Sequence, residues 1–152
     1  DFSAETDEAG VRAQIGRMRT QRKLTDEQAE AVDVRALVRF LQGPLAARIR
    51  ASERVEREYR FSLLRPVREF ANADSDDEVL LQGVVDCFFE ENGALVVVDF
   101  KTDHVAGLAL YERAERYRPQ LEAYSMALSR VTGKPVSEKI LYFFAAGEEV
   151  QL

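Results

Sequence analysis

Residues 81–103 read LQGVVDCFFEENGALVVVDFKTD. Two apolar runs within them carry ionisable side chains: Asp86 in GVVDCFF, and Asp99 with Lys101 in LVVVDFKT. An unpaired charge is costly to bury, so each of these residues needs a partner or a task. Asn92-Gly93 between the runs is a hairpin signal, because both residues tolerate the positive φ of a type I′ turn. A two-residue loop there pairs Glu91 with Ala94, and the same register carried inward sets Asp86 directly opposite Asp99. Provided no bulge intervenes, period-two alternation places Asp86, Asp99 and Lys101 on one face. Opposed carboxylates have Cβ atoms roughly 5 Å apart and repel, so a cation belongs between them. Two carboxylates and a backbone oxygen make a hard-oxygen site of the kind Mg2+ or Mn2+ accepts while keeping several waters. A lysine on that face would meet a developing oxyanion or position an attacking water. The combination suits phosphodiester hydrolysis, whose barrier is charge and alignment.

A D-x-K triplet in a strand is a weak signal by itself, and either aspartate taken singly reads as a solvated strand residue. YRPQLEAY adds Gln120 and Tyr124, four apart and so about one turn apart on one helix face. Alone, Tyr124 reads as core and Gln120 as a surface amide. The ordered set carries more weight: Gly83 and Asp86 in one strand, Asp99-Phe100-Lys101-Thr102 in the next, then Gln120 and Tyr124 on a following helix.

These residues need a scaffold, and the pattern of the chain supplies one. The first 51 residues are helical in character. Val11, Ile15 and Met18 share a stripe, Thr25 and Gln28 have capping-box spacing, Asp33 is a candidate cap, and Gly43-Pro44 is a break. RVEREYRFSLL alternates, which predicts a strand with Val55, Tyr59, Phe61 and Leu63 on one face. NADSDDE reads as a polar loop before the hairpin. From Leu108 to Val131 the helical period returns through Leu121, Tyr124, Leu128 and Val131. Pro119 must kink that stretch or open a new helix. Gly133-Lys134-Pro135 ends it, and SEKILYFFAA is the last predicted strand. The order predicts an α/β or α+β domain around a central mixed sheet, with the strand after the long helix returning parallel to an earlier one.

Composition fits a single globular domain of 152 residues, with 46% apolar and 32% charged residues. One cysteine, Cys87, excludes a disulfide framework and any cysteine-based zinc or iron–sulfur site. No apolar run approaches the length of a membrane span and no signal peptide is visible, so a soluble, cytoplasmic protein is expected. The chain opens on Asp1 without Met, and a fragment of a longer protein is expected. A net charge of −6 argues against stand-alone nucleic-acid binding. A bound divalent ion, however, reverses the sign of a carboxylate site. Arg54, Arg57, Arg60, Arg65 and Arg68, then Arg113, Arg116 and Arg118, cluster locally and read as a solvated face with ion-pair partners.

The ordered motifs resemble the PD-(D/E)xK nucleases, specifically the RecB-like branch, and most closely the carboxy-terminal nuclease domains of AddA-type subunits of bacterial helicase–nucleases. LLQGVVDCFFEENGALVVVDFKTD, RYRPQLEAYSMAL and GKPVSEKILYFF carry the likeness, and REYRF around Glu58 is similar to a short acidic strand motif of that branch. The likeness covers about residues 54–145. It implies a restriction-endonuclease-like αβββαβ core with a helical lead-in over 1–51 and the nuclease core over 52–152. It implies that Asp86, Asp99 and the Phe100 carbonyl bind Mg2+ or Mn2+ and that Lys101 stabilises the transition state. Gln120 and Tyr124 would organise the site and touch the DNA backbone, with Glu58 a further candidate. The implied partners, at double-strand breaks, are single-stranded DNA, helicase domains of the same chain and a second nuclease subunit. The branch usually has a histidine ligand on its first helix; the first 51 residues contain none, and His104, after the lysine motif, reads as a loop histidine. A competing reading is a catalytically inactive nuclease-fold module for DNA binding or subunit docking. A small-molecule phosphohydrolase ranks behind both, since no nucleotide-binding loop is visible.

Overall fold

A computed structural model describes residues 7–66 and 77–152. Four helices come first: α1 (Glu8–Thr20), α2 (Asp26–Glu30), α3 (Val34–Gln42) and α4 (Pro44–Ala51). Their starts obey local chemistry. Asp7 accepts from the Gly10 amide, Thr25 and Gln28 form a reciprocal capping box, and Asp33 accepts from the Ala36 amide at 3.0 Å. Pro44 opens α4, where its missing N–H costs nothing. Strands β1 (Val55–Pro66), β2 (Glu78–Glu91) and β3 (Ala94–Lys101) follow, then α5 (Leu108–Thr132), β4 (Val136–Phe143) and β5 (Glu148–Gln151).

The strands form one mixed sheet in chain order, antiparallel throughout except for β3 and β4, which run parallel. That parallel return needs a crossover, which α5 provides. Helices cover both faces. Phe40, Leu45, Ala46 and Ile49 of α3 and α4 pack on Cys87, Phe89, Val96 and Val98. On the other face Tyr124, Ala127 and Leu128 of α5 pack on Phe61, Val85, Phe88, Leu95 and Val97. Alternation of apolar and polar residues is therefore absent from β3: Leu95 to Val98 are all fully buried, as expected of a strand covered on both sides.

Several sequence expectations are corrected. The chain adds a fifth strand, β5, too short and polar to stand out from its pattern. α5 runs through Pro119 as one helix, so Pro119 opens no second helix. Val131 is 49% exposed and leaves the buried stripe of Leu121, Tyr124 and Leu128. Val55 does not share a face with Tyr59, Phe61 and Leu63: it packs beneath α3 and α4, whereas they pack beneath α5. Arg68 and positions 72–76 of the expected NADSDDE loop lie outside the described residues, and Glu78 already belongs to β2.

The change of face in β1 has a local cause. Glu58 has φ +52°, and neither it nor Asp86, opposite in register, forms a ladder pair between Arg57↔Cys87 and Tyr59↔Val85. Val85 of β2 packs beneath α5 while Cys87 packs beneath α4, so both strands slip their alternation at the same level. Because the slip occurs in both, the register beyond it is unchanged.

Candidate active site

The β2–β3 turn has the expected form, with Asn92 at φ +52° and Gly93 at φ +80°. Its ladder runs from Glu91↔Ala94 to Cys87↔Val98 and stops. Asp86 and Asp99 occupy the next register position without forming a ladder pair. Instead the Asp86 carboxylate accepts the Phe100 backbone N–H at 2.9 Å. An extended residue sends its N–H and C=O to the same side, so the Phe100 carbonyl faces the same gap between β2 and β3. The Phe100 ring is anchored on the opposite face against Phe40 and Phe144.

Asp99 is the only buried charged residue among those described, at 2% exposure. Lys101 Nζ lies 2.5 Å from Asp99 Oδ2. That contact is one of charge, without the angles of a hydrogen bond, and the buried Oδ2 accepts no hydrogen bond. Burial foremost, with the Asp86 charge adding, raises the Asp99 pKa against the opposing pull of Lys101. Lys101 thus sets a positive charge beside Asp99.

From the α5 side, Gln120 joins two groups. Its Oε1 accepts from Lys101 Nζ at 3.1 Å, and its Nε2 donates to the Tyr124 hydroxyl at 2.6 Å. The hydroxyl proton of Tyr124 is left for another acceptor. Burial, followed by the Asp99 and Asp86 charges, raises the Tyr124 pKa and keeps it neutral. Gly83 makes the approach of Tyr124 possible: a Cβ there would lie 3.2 Å from the Tyr124 ring and 2.8 Å from that of Phe61.

The structure therefore brings together Asp86, Asp99, Phe100, Lys101, Gln120 and Tyr124. Glu58 lies at the slip opposite Asp86 and is exposed. His104 is exposed in the loop after β3 and lines a cavity with Thr102, Ala36, Leu37 and Phe144. Of the clustered arginines, Arg54, Arg113 and Arg118 have acidic neighbours in Glu56, Asp103 and Glu115. Cys87 is sealed in the core, and burial pushes its thiol up to about 12, so it is chemically inert.

Sequence reasoning passed over Tyr117 and Asp103. Lys101 Nζ sits 3.9 Å from the Tyr117 ring centroid, and the Tyr117 hydroxyl donates to Asp103 Oδ2 at 3.0 Å. Burial, then Asp103, raises the Tyr117 pKa, so the hydroxyl stays a donor. The available signal was spacing: Tyr117, Gln120 and Tyr124 stand at i, i+3 and i+7 on one helix face.

A divalent ion fits this donor set. Asp86 and Asp99 supply carboxylate oxygens, one of them buried without a hydrogen bond, and the Phe100 carbonyl faces the same gap. Among the described residues no three His, Cys, Asp or Glu side chains converge on one point. An ion here would keep several waters, as Mg2+ does with one or two carboxylates.

A family model described as the PD-(D/E)XK nuclease superfamily matches residues 3–151. The chain is 43% identical over 143 residues to the A subunit of an ATP-dependent helicase/nuclease from Acetivibrio thermocellus, covering 90% of this chain and 11% of that protein. It is 36% identical over 146 residues to the protein of the same name from Clostridium acetobutylicum, with 93% and 12% covered. A Thermoanaerobacter relative of that name is 38% identical over 152 residues, with 97% and 12% covered. The chain thus spans about an eighth of the length of these relatives. Among the described residues no helix is long and apolar enough to cross a membrane.

Proposed function

The chain belongs to the PD-(D/E)XK nuclease superfamily, and on that premise we propose that it is a divalent-metal-dependent deoxyribonuclease domain. Residues 1–152 act as one unit, the helices of 1–51 buttressing a nuclease core over 52–152. The observation that carries this reading is the convergence of Asp86, Asp99 and Lys101 from two strands beneath Gln120 and Tyr124 of α5. Asp86, Asp99 and the Phe100 carbonyl would hold Mg2+ or Mn2+. The ion, when bound, polarises the scissile phosphate and makes a bound water acidic. Lys101 supplies a nearly buried positive charge where negative charge grows on the phosphoryl oxygens. Gln120 fixes both Lys101 and Tyr124, and the free Tyr124 proton is offered to a phosphate oxygen of the DNA backbone. Glu58 stands at the rim of the site opposite Asp86.

The named relatives are helicase/nuclease subunits, which supports an exonuclease acting on single-stranded DNA delivered by helicase domains in the bacterial cytoplasm. A second nuclease subunit would take the other strand at a double-strand break. The test is cleavage of end-labelled single-stranded DNA in Mg2+ and in Mn2+, by this chain and by one extended at its amino end. Cleavage that stops on chelation is the expected result. No cleavage by either folded protein, with no Mn2+-dependent rise in melting temperature, would overturn it in favour of an inactive DNA-binding or docking module.

A further inference from the structure

We propose that Tyr117 is the positioning residue for Lys101: its ring holds the ammonium in line with Asp99 and Gln120. The inference rests on the proposed nuclease reading for its consequence, but its geometry stands alone. Lysine has a flexible four-carbon stem, so a useful ammonium must be fixed by its surroundings. Three groups surround Nζ here: Asp99 Oδ2 at 2.5 Å, Gln120 Oε1 at 3.1 Å and the Tyr117 ring centroid at 3.9 Å. Asp99 attracts the ammonium by charge, and Gln120 accepts a hydrogen bond that defines direction. The ring face closes the remaining side with its negative quadrupole and keeps water from competing for the ammonium.

The ring is itself held at two points. Its hydroxyl donates to Asp103, two residues after Lys101 on the same chain segment, and Asp103 is also 3.5 Å from Arg113 Nε. The rest of the ring packs against the cluster of Leu110, Ala114, Leu121, Leu141 and Phe143. Tyr117 therefore couples the position of the Lys101 ammonium to the loop that follows β3 and to the body of α5.

The decisive measurement is the NMR shift of the Lys101 ε-methylene protons in this chain, beside Tyr117→Phe and Tyr117→Leu. A ring stacked over the ammonium moves those protons upfield of the other lysines. The displacement is expected in the native chain, kept in Tyr117→Phe and lost in Tyr117→Leu. Lys101 protons at the ordinary lysine position in the native chain, or unmoved by Tyr117→Leu, would overturn the inference whatever the enzyme does. Where cleavage is measurable, Tyr117→Leu should lower kcat roughly tenfold with KM for DNA little changed, and Tyr117→Phe should restore most of it. Equal kcat in all three would also overturn it. A native chain that shows the upfield shift yet never cleaves DNA would refute the nuclease reading and leave the position of Lys101 established.

Discussion

Gly83 shows how one absent side chain shapes the site. It faces α5, paired with Phe61, and the space its Cβ would fill is already occupied by the Phe61 and Tyr124 rings. The prediction at this scale is that Gly83→Ala forces Phe61 aside and lifts Tyr124 away from Gln120. It should cost roughly 1–3 kcal/mol, read as a lower melting temperature, and should lower cleavage more than the loss of fold accounts for. An unchanged melting temperature would show that the rings adapt freely. The G-x-x-D spacing was legible in the sequence, but the reason for the glycine was not, since it depends on a helix arriving from more than thirty residues away. Glu58 was harder still: glutamate is no turn former, and nothing in REYRF announces a positive φ. Asp99 and Lys101 were legible because charged residues inside a fully apolar run stand out.

The helical lead-in is joined to the sheet by more than apolar contact. Arg48 of α4 donates to Glu91 at the end of β2 and to Glu138 of β4, and its guanidinium stacks 5.6 Å from the Phe89 ring. The hydrogen bonds from Arg48 hold the Glu91 pKa below the usual carboxylate range. Such a depressed group stabilises the fold above its unfolded pKa, and that contribution fades as pH falls through the folded one. Arg48→Met should therefore lower stability by about 1 kcal/mol near neutral pH and flatten its fall under acid. Melting curves between about pH 7 and pH 3 would measure both, and an acid limb identical to that of the native chain would rule out the clamp. Elements with strong local signals, such as the capped helices and the Asn92-Gly93 turn, were legible. β5 was not, because four largely polar residues gain their strand from pairing with β4 rather than from pattern. Pro119 opens no new helix because α5, packed along its length, tolerates one missing hydrogen bond.

At the scale of the molecule, the sheet works as a septum between α1–α4 and α5, and the site lies where its central ladder stops. The β2–β3 ladder ends one step before Asp86 and Asp99, and the slip at Glu58 opens β1 at the same level. β2 thus loses regular pairing with both β1 and β3 around Asp86, while β3 stays paired with β4 through Asp99, Phe100 and Lys101. The central mixed sheet and the parallel return of β4 followed from element order and crossover length. The opening in the ladder did not, because it arises only when β1, β2 and β3 are assembled. The measurement that bears most directly on the central claim is the rate of Mn2+-dependent cleavage of end-labelled single-stranded DNA by the native chain and by Asp99→Ala, with melting curves of both. The site described here predicts cleavage by the native chain, a fall of roughly 100-fold or more in Asp99→Ala, and a cooperative melt for the variant. Full activity retained by a folded Asp99→Ala would contradict it.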